Sequence, residues 1–417
     1  MKLSNFYYAL ILLIFSSFLL GFYYNENSSG GAVDIEHIYK NYNLFEKYSL
    51  KDIPWQKYDS TSLPLYYVII SFLFDFKDSS ELNLFNLIIS FFSFFIFYLI
   101  LKLNFNERIN LLKNHQLLLL ASIIFLGPYF RTSTFWGLEE ILGIFFLLTS
   151  IYFYKIYKKN KSFLTLFVCI FSSCLCFYTR QSYIFLLVLI FFNLINFKKI
   201  FDKKNYFIIF SFIILLLPSL YLFIIWEGIF PPIAVKARGI SLLQFKNIPF
   251  ILNMILIYLI PCIFLLFENI KDLYKYIIDK KFIFMIFLIM NFSLLINIEI
   301  FQVGGGAISK LYYLFLGNEN FFKIFFSLSA SISALLIYRF INYSNFLLFF
   351  FILIIFTFLN TELIFQEYFD PITMIFLLSF FDFSKIKKNI VLKIPIYNTA
   401  YYLAFLISSL FYYYKIV

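Results

Sequence analysis

The sequence predicts an all-α polytopic membrane protein of about 13 transmembrane helices, and three observations predict it. First, of 417 residues 62% are hydrophobic and 14% charged, with a mean hydropathy of +0.86. A soluble domain holds about 45–50% apolar and about 25% charged residues, so soluble enzymes, nucleic-acid binders and disulfide-stapled secreted domains are excluded. Second, apolar runs of roughly 15 to 22 residues recur along the chain, long enough for helices to cross about 30 Å of hydrocarbon. They alternate too weakly for the strands of an outer-membrane barrel. Third, the lysines collect in every second loop, so the net charge of +11 reports orientation across a bilayer rather than a nucleic-acid partner.

The first run, 6–24, follows a lone Lys2 and shows no small-residue cleavage site, so it reads as a retained helix and not a signal peptide. The first outer loop follows, at 25–81. Within it 63–76 is apolar but only about 14 residues long, and as a full span it would invert every later loop. It reads as an interfacial or re-entrant helix. Spans are then expected at 82–101, 116–130, 135–154, 163–178, 183–197, 206–226, 249–267, 282–300, 321–338, 346–359, 369–381 and 397–414, within one domain covering 1–417. The loops holding Lys155, Lys158, Lys159 and Lys161, Lys198, Lys199, Lys203 and Lys204, Lys271, Lys275, Lys280 and Lys281, and Lys385, Lys387, Lys388 and Lys393 face the cytoplasm on this reading. The opposite loops hold Asp34, Glu36, Asp52, Asp59, Glu227, Glu362, Glu367 and Asp370. They face a bacterial periplasm or, alternatively, the lumen of the endoplasmic reticulum.

Cys169, Cys174, Cys176 and Cys262 all fall inside predicted spans and read as small packing residues. The heavy use of Phe, Ile, Leu, Asn, Lys and Tyr looks like the bias of an AT-rich genome, so aromatic stripes carry little functional information. Gly304-Gly305-Gly306 follows no strand and lacks a phosphate-loop pattern; it reads as a hinge. Asn27-Ser28-Ser29 fits a glycosylation sequon, which matters only in a eukaryote.

Chemistry concentrates in the first outer loop, which carries Asp34, Glu36, His37, Asp52, Trp55, Asp59 and the turn Ser60-Thr61-Ser62-Leu63-Pro64. On a helix, positions 34 and 37 share a face and 36 does not; in an extended segment 34 and 36 do. Such residues are solvated loop charges, acid-base groups or metal ligands, and three ligand types within four residues are a weak metal signal. Three of the arginines, Arg131, Arg180 and Arg238, lie on the outer side against the positive-inside bias. Arg131 reads as an interfacial anchor, and the Glu139-Glu140 pair as the outer end of a helix, facing either a cavity or solvent.

The order of these features resembles the membrane glycosyltransferases of the C-type fold. A first helix, Val33-Asp34-Ile35-Glu36-His37, Trp55, the Ser60 to Pro64 turn and Leu65-Tyr66-Tyr67 are most similar to the alpha-glucosyltransferase family of the dolichol-linked oligosaccharide pathway. That family has an Asp-Glu pair, a nearby His, a Trp-Asp and a Thr-Pro run ending in Leu-Tyr. Arg180-Gln181-Ser182 resembles its Arg-Gln-Thr, and Tyr368-Phe369 with Pro371 its late Arg-Tyr-x-x-x-Pro. Here Ile35 splits the acidic pair and Glu367 stands in place of the late Arg.

The resemblance implies transfer of a hexose from a polyprenyl-phosphate donor to a lipid-linked glycan or other outer-face acceptor, in the bilayer, with no nucleic acid. Inverting transfer from a phosphate needs one base and cations for the leaving group. Asp34 is the expected base, Glu36 its alternate, and His37 orients a carboxylate or binds the acceptor. Arg180 and Gln181 are expected at the donor, with Arg238 and Lys236 next, because Arg suits bidentate phosphate binding. Asp59, Glu367 and Tyr368 are expected to bind substrate hydroxyls. No cofactor is called for, and a divalent metal stays open. The alternatives are a transporter or flippase of lipid-linked glycans, and a glycan polymerase or ligase.

Overall fold

The computed structural model describes residues 3–74, 79–109, 111–199, 201–233, 243–298, 304–361 and 363–414. These residues form helices and contain no strand, as the composition requires of a chain in lipid, where each backbone polar group must be satisfied within its own segment. Among them seven helices are long and apolar enough to cross a membrane: Ser4–Tyr23, Ser80–Phe105, Glu140–Asn160, Lys203–Ile225, Phe245–Leu266, Glu319–Ile341 and Lys388–Tyr413. An eighth candidate is the pair Asn114–Leu126 and Pro128–Phe135, bent by 68°. The bend falls at Pro128, which lacks an N–H and starts a new helix after extended Gly127. Phe163–Thr179, Gln181–Leu194, Lys281–Leu295 and Asn345–Thr357 are shorter apolar helices.

Two expected segments illustrate what run length can and cannot tell. The apolar stretch after Pro64 forms α3, Leu65–Leu73, whose nine residues reach only about 14 Å and cannot span. The stretch at 369–381 yields a helix of only nine residues, Ile372–Phe380, buried within protein from Ile372 to Ser379. A short run of apolar side chains looks the same in sequence whether it meets lipid or protein.

By its contacts the chain divides into two units. The first comprises Met1–Leu103, Asn114–Gly239 and Tyr402–Val417, the second Asn104–Lys113 and Ile240–Tyr401. In the first unit α1, Leu3–Tyr23, packs on Asn114–Ser122 and Pro128–Phe135. The helix Glu140–Asn160 packs along Phe163–Thr179, which also carries α3. That α3 in turn holds α2, Ile35–Lys47. In the second unit Ile248–Leu259, Lys281–Leu295 and Gly306–Leu316 surround Glu319–Ile341.

Lysines from separate loops converge in the first unit. Lys161 and Lys204 both lie over the Tyr157 ring, at 5.5 and 5.2 Å, and Lys158 donates to the Asn193 carbonyl. In the second unit Lys387 pairs with Glu268, Lys385 lies over Tyr343 and Arg339 over Tyr276. Glu140 at the other end of its 21-residue helix lies about 30 Å from these first-unit lysines, so that unit has a carboxylate-rich and a lysine-rich end. Acid at the helix start and base at its end also suit the helix dipole. All four cysteines are buried, so introduced thiols report without background. Cysteines at exposed Lys51 and Asn160 are expected to react with an impermeant maleimide from opposite faces of sealed vesicles; reaction of both from one face would overturn the orientation.

The glycine triplet forms a turn that glycine alone suits. Gly304, Gly305 and Gly306 have φ of 82°, 75° and 77°, which side-chain-bearing residues rarely adopt. Gly305 donates to the Ile364 carbonyl at 2.9 Å, and a Cβ on Gly306 would come within 2.6 Å of Gln366 Oε1.

Candidate functional site

The carboxylate-rich end of the first unit is built around Asp59. His37 and Asn41 stand one turn apart on α2 and so present side chains to the same side. His37 Nδ1 bonds Asp59 Oδ2 at 2.8 Å. The Asn41 amide donates to the Asp59 carbonyl at 2.8 Å and accepts from its N–H at 2.9 Å. This fixes the segment leading into the Ser60 to Pro64 turn. Asp34 ends the short turn Gly31–Asp34 and begins α2, and Asp34 and Glu36 are both exposed. Because the chain is already helical here, Glu36 and His37 diverge by about 100°. Among the described residues no three His, Cys, Asp or Glu side chains are placed to hold a metal ion.

Beyond the turn the chemistry is buried. Ser62 donates to Glu139 Oε1 at 2.5 Å, and Tyr66 donates to the Gly137 carbonyl at 2.6 Å. Glu140 pairs with Arg180 at 3.0 Å, each side chain about nine-tenths buried (11% and 12% exposed). Burial, and after it the Glu139 carboxylate, pushes the Tyr58, Tyr66 and Tyr67 hydroxyls well above the usual tyrosine range. All three therefore stay neutral and hydrogen-bonding at physiological pH. Arg180 follows directly on Phe163–Thr179, the helix that carries α3, which is how the first loop and the arginine come to one end of one unit. Gln181 opens the next turn and donates to the Ile229 carbonyl at 2.8 Å.

Arg131 is no interfacial anchor. Its side chain is 1% exposed and forms a two-bond pair with Glu26, Nε to Oε1 at 2.7 Å and Nη2 to Oε2 at 2.5 Å. The Phe18 and Phe135 rings flank it, at 5.7 and 5.4 Å. The pair holds the start of the first loop beside Pro128–Phe135. The sequon lies in the same region and is closed: Ser28 is fully buried, donating to the Pro128 carbonyl, and the Ser29 N–H donates to Thr132.

The remaining expected residues lie elsewhere. Lys236 and Arg238, and with them Glu362, lie outside the described residues. Glu367 and Tyr368 belong to the second unit, on the turn Gln366–Tyr368. The Tyr368 ring stacks on Phe358 at 4.8 Å and 3°, a packing contact, while buried Gln366, unremarked in sequence, donates to the Met254 carbonyl and Tyr258 hydroxyl. The residues that sequence reading undervalued are Glu139, Glu140, Trp226 and Gln366. For the first two the signal was present, since adjacent acids beside an apolar run need partners if buried.

No known protein family, curated protein or solved structure matches the chain.

Proposed function

We propose that this membrane protein is an inverting glycosyltransferase that moves a hexose from a polyprenyl-phosphate donor to a lipid-linked glycan or another acceptor at its carboxylate-rich face. One observation carries the reading. The exposed Asp34, Glu36 and His37 edge is tied through Asp59 and α3 to the helix that Arg180 follows, so an accessible carboxylate and a largely buried guanidinium belong to one folded unit. In the step so read, the bond from the sugar anomeric carbon to the phosphate oxygen breaks and its electron pair leaves on phosphate. The acceptor oxygen bonds to that carbon from the opposite side, and its proton passes to Asp34, with Glu36 as the alternate base. His37 and Asp59 orient the acceptor, and Arg180 with Gln181 receives the donor. Lys236 and Arg238, Glu367 and Tyr368 enter the proposal as further substrate contacts. The face so used is periplasmic in a bacterial inner membrane or, alternatively, luminal in the endoplasmic reticulum.

The test is incubation of the purified protein in nanodiscs with labelled polyprenyl-phosphate hexoses and a lipid-linked glycan. Label is expected on the acceptor, with release of polyprenyl phosphate. Uptake of label by no acceptor would sink the enzyme reading. For the donor phosphate, Arg180→Lys is the cleaner variant, since it keeps a charge beside Glu140. Loss of the planar fork is expected to weaken donor binding by about 3- to 10-fold. An unchanged donor affinity would move the phosphate away from Arg180.

Transport of lipid-linked glycans is the second reading, and a polar seam in the second unit favours it. Asn253, Asn291, Ser329, Ser331 and Ser333 are buried in helices otherwise apolar, with Ser329 donating to Asn253 at 2.5 Å. A transporter would move the lipid across vesicles without forming a new glycosidic bond.

A further inference from the structure

Two indoles in the first unit are treated differently. The Trp136 Nε1–H donates to the Glu26 carbonyl at 3.1 Å. Trp226 is only 5% exposed, yet its Nε1–H has no hydrogen-bond partner among the described residues. The Gln181 side chain meets the same chain segment by donating to the Ile229 carbonyl, and its Oε1 is likewise buried and without a partner, the residue being 9% exposed. A buried orphan of either kind costs about 1–3 kcal/mol. Such orphans in a native protein call for an account, of which a ligand, an ion or an ordered water is one kind.

The surroundings say what that something is. The Trp226 ring stacks on Tyr58 at 6.2 Å and 18° and meets Trp55 edge-on at 5.7 Å; Trp55 is half-buried. Gln181 directly follows Arg180, and the Ile229 that it meets lies three residues beyond Trp226. A phosphate offers no proton at neutral pH to a carboxamide oxygen, so the orphan pair does not suit the anion. A hydroxyl group both donates and accepts, and a pyranose ring adds a C–H face that packs on aromatic side chains.

We infer that Gln181 Oε1 and Trp226 Nε1–H, beside the Trp55 and Tyr58 rings, form the subsite that recognises the hexose of the donor, next to the guanidinium that takes its phosphate. The inference rests on the transferase reading and extends it to the residues that select the sugar. Gln181 Oε1 accepts from a sugar hydroxyl, Trp226 Nε1–H donates to a sugar oxygen, and Tyr58 holds the indole in place.

The experiment is isothermal titration of the full chain in detergent with a short-chain prenyl phosphate and its glucosyl, galactosyl and mannosyl esters. The parent is expected to bind the best ester about 10-fold or more tightly than the bare prenyl phosphate. Trp226→Phe, which keeps a ring in the stack, should shrink that ratio by about 3- to 10-fold while the bare phosphate binds as to the parent, and Gln181→Met should shrink it by a similar factor. Binding of the bare phosphate also shows that a variant is folded, and if Gln181→Met fails to fold, Trp226→Phe decides alone. A ratio unchanged in the folded variants would mean that water alone satisfies both atoms, and the inference falls while the phosphate reading stands. Competition by methyl glucoside as strong as by the ester would assign the subsite to the acceptor and overturn it too. If the parent binds none of the prenyl phosphates, the transferase reading falls with it.

Discussion

Asp34→Asn is expected to lower single-turnover sugar transfer by about 10²–10⁴-fold, the usual contribution of a general base. The side chain sits exposed where the turn Gly31–Asp34 meets α2, so a nearly isosteric amide should leave folding intact. Donor binding should also survive, since removing a negative charge cannot weaken an anion electrostatically. Glu36→Gln should cost less. The contact of His37 with Asp59 sharpens the comparison, because a carboxylate on Nδ1 orients an imidazole and leaves Nε2 to act on substrate. If His37→Ala slows transfer more than Asp34→Asn does, the imidazole is the base and Asp34 is not. If Asp34→Asn, Glu36→Gln and His37→Ala all turn over at the parent rate, the edge is only solvated and transport becomes the better reading.

Arg131→Met is expected to destabilise the protein by about 3–5 kcal/mol, because it strands Glu26 as an uncompensated, largely buried carboxylate. The guanidinium also donates to the carbonyls of Phe125 and Ser17, at 3.1 and 2.9 Å, and both would lose a partner. Removing both charges with Glu26→Gln and Arg131→Met together should recover much of the loss, so the coupling shows as non-additivity in detergent unfolding curves. Gly21→Ala gives an independent sign test. Helix propensity alone would make alanine in α1 stabilising by about 1 kcal/mol. A Cβ there would collide with Arg131 Nη2 and come within 2.7 Å of Glu26 Oε2, so a net loss is expected instead. An Arg131→Met cost under about 1 kcal/mol would return Arg131 to the surface-anchor role that its sequence position suggests.

Much of the architecture was legible because it depends on local quantities. Composition required helices in lipid, run length made Leu65–Leu73 too short to cross, and in the first unit lysines from two of the grouped loops meet at Tyr157. The segment 25–62 also stood out as the longest interruption of an otherwise apolar chain. Run length alone did not separate a helix facing lipid from one enclosed by protein, as Ile372–Phe380 shows. Nor did it give the conformation at Gly304 to Gly306, because glycine permits many and the partners, Ile364 and Gln366, lie far along the chain.

The site divides along the same line. Sequence by itself singled out Asp34, Glu36, His37, Asp59, Arg180 and Gln181, through residue type, order and sidedness. Only the tertiary structure decided their partners. Asp59 meets His37 across 22 positions, Glu139 meets Ser62 across 77, and Arg131 meets Glu26 across 105. Tertiary structure also turned a reading of Arg131 as a surface anchor into a buried ion pair, and it brought Trp226 to Tyr58 while leaving its indole N–H unmet. The physical reason is the range of the forces. Hydropathy and helix periodicity act over a turn or a membrane thickness and are written in consecutive residues. A hydrogen bond or ion pair depends on ångström-scale placement of groups brought together by helix packing, which no spacing along the chain encodes.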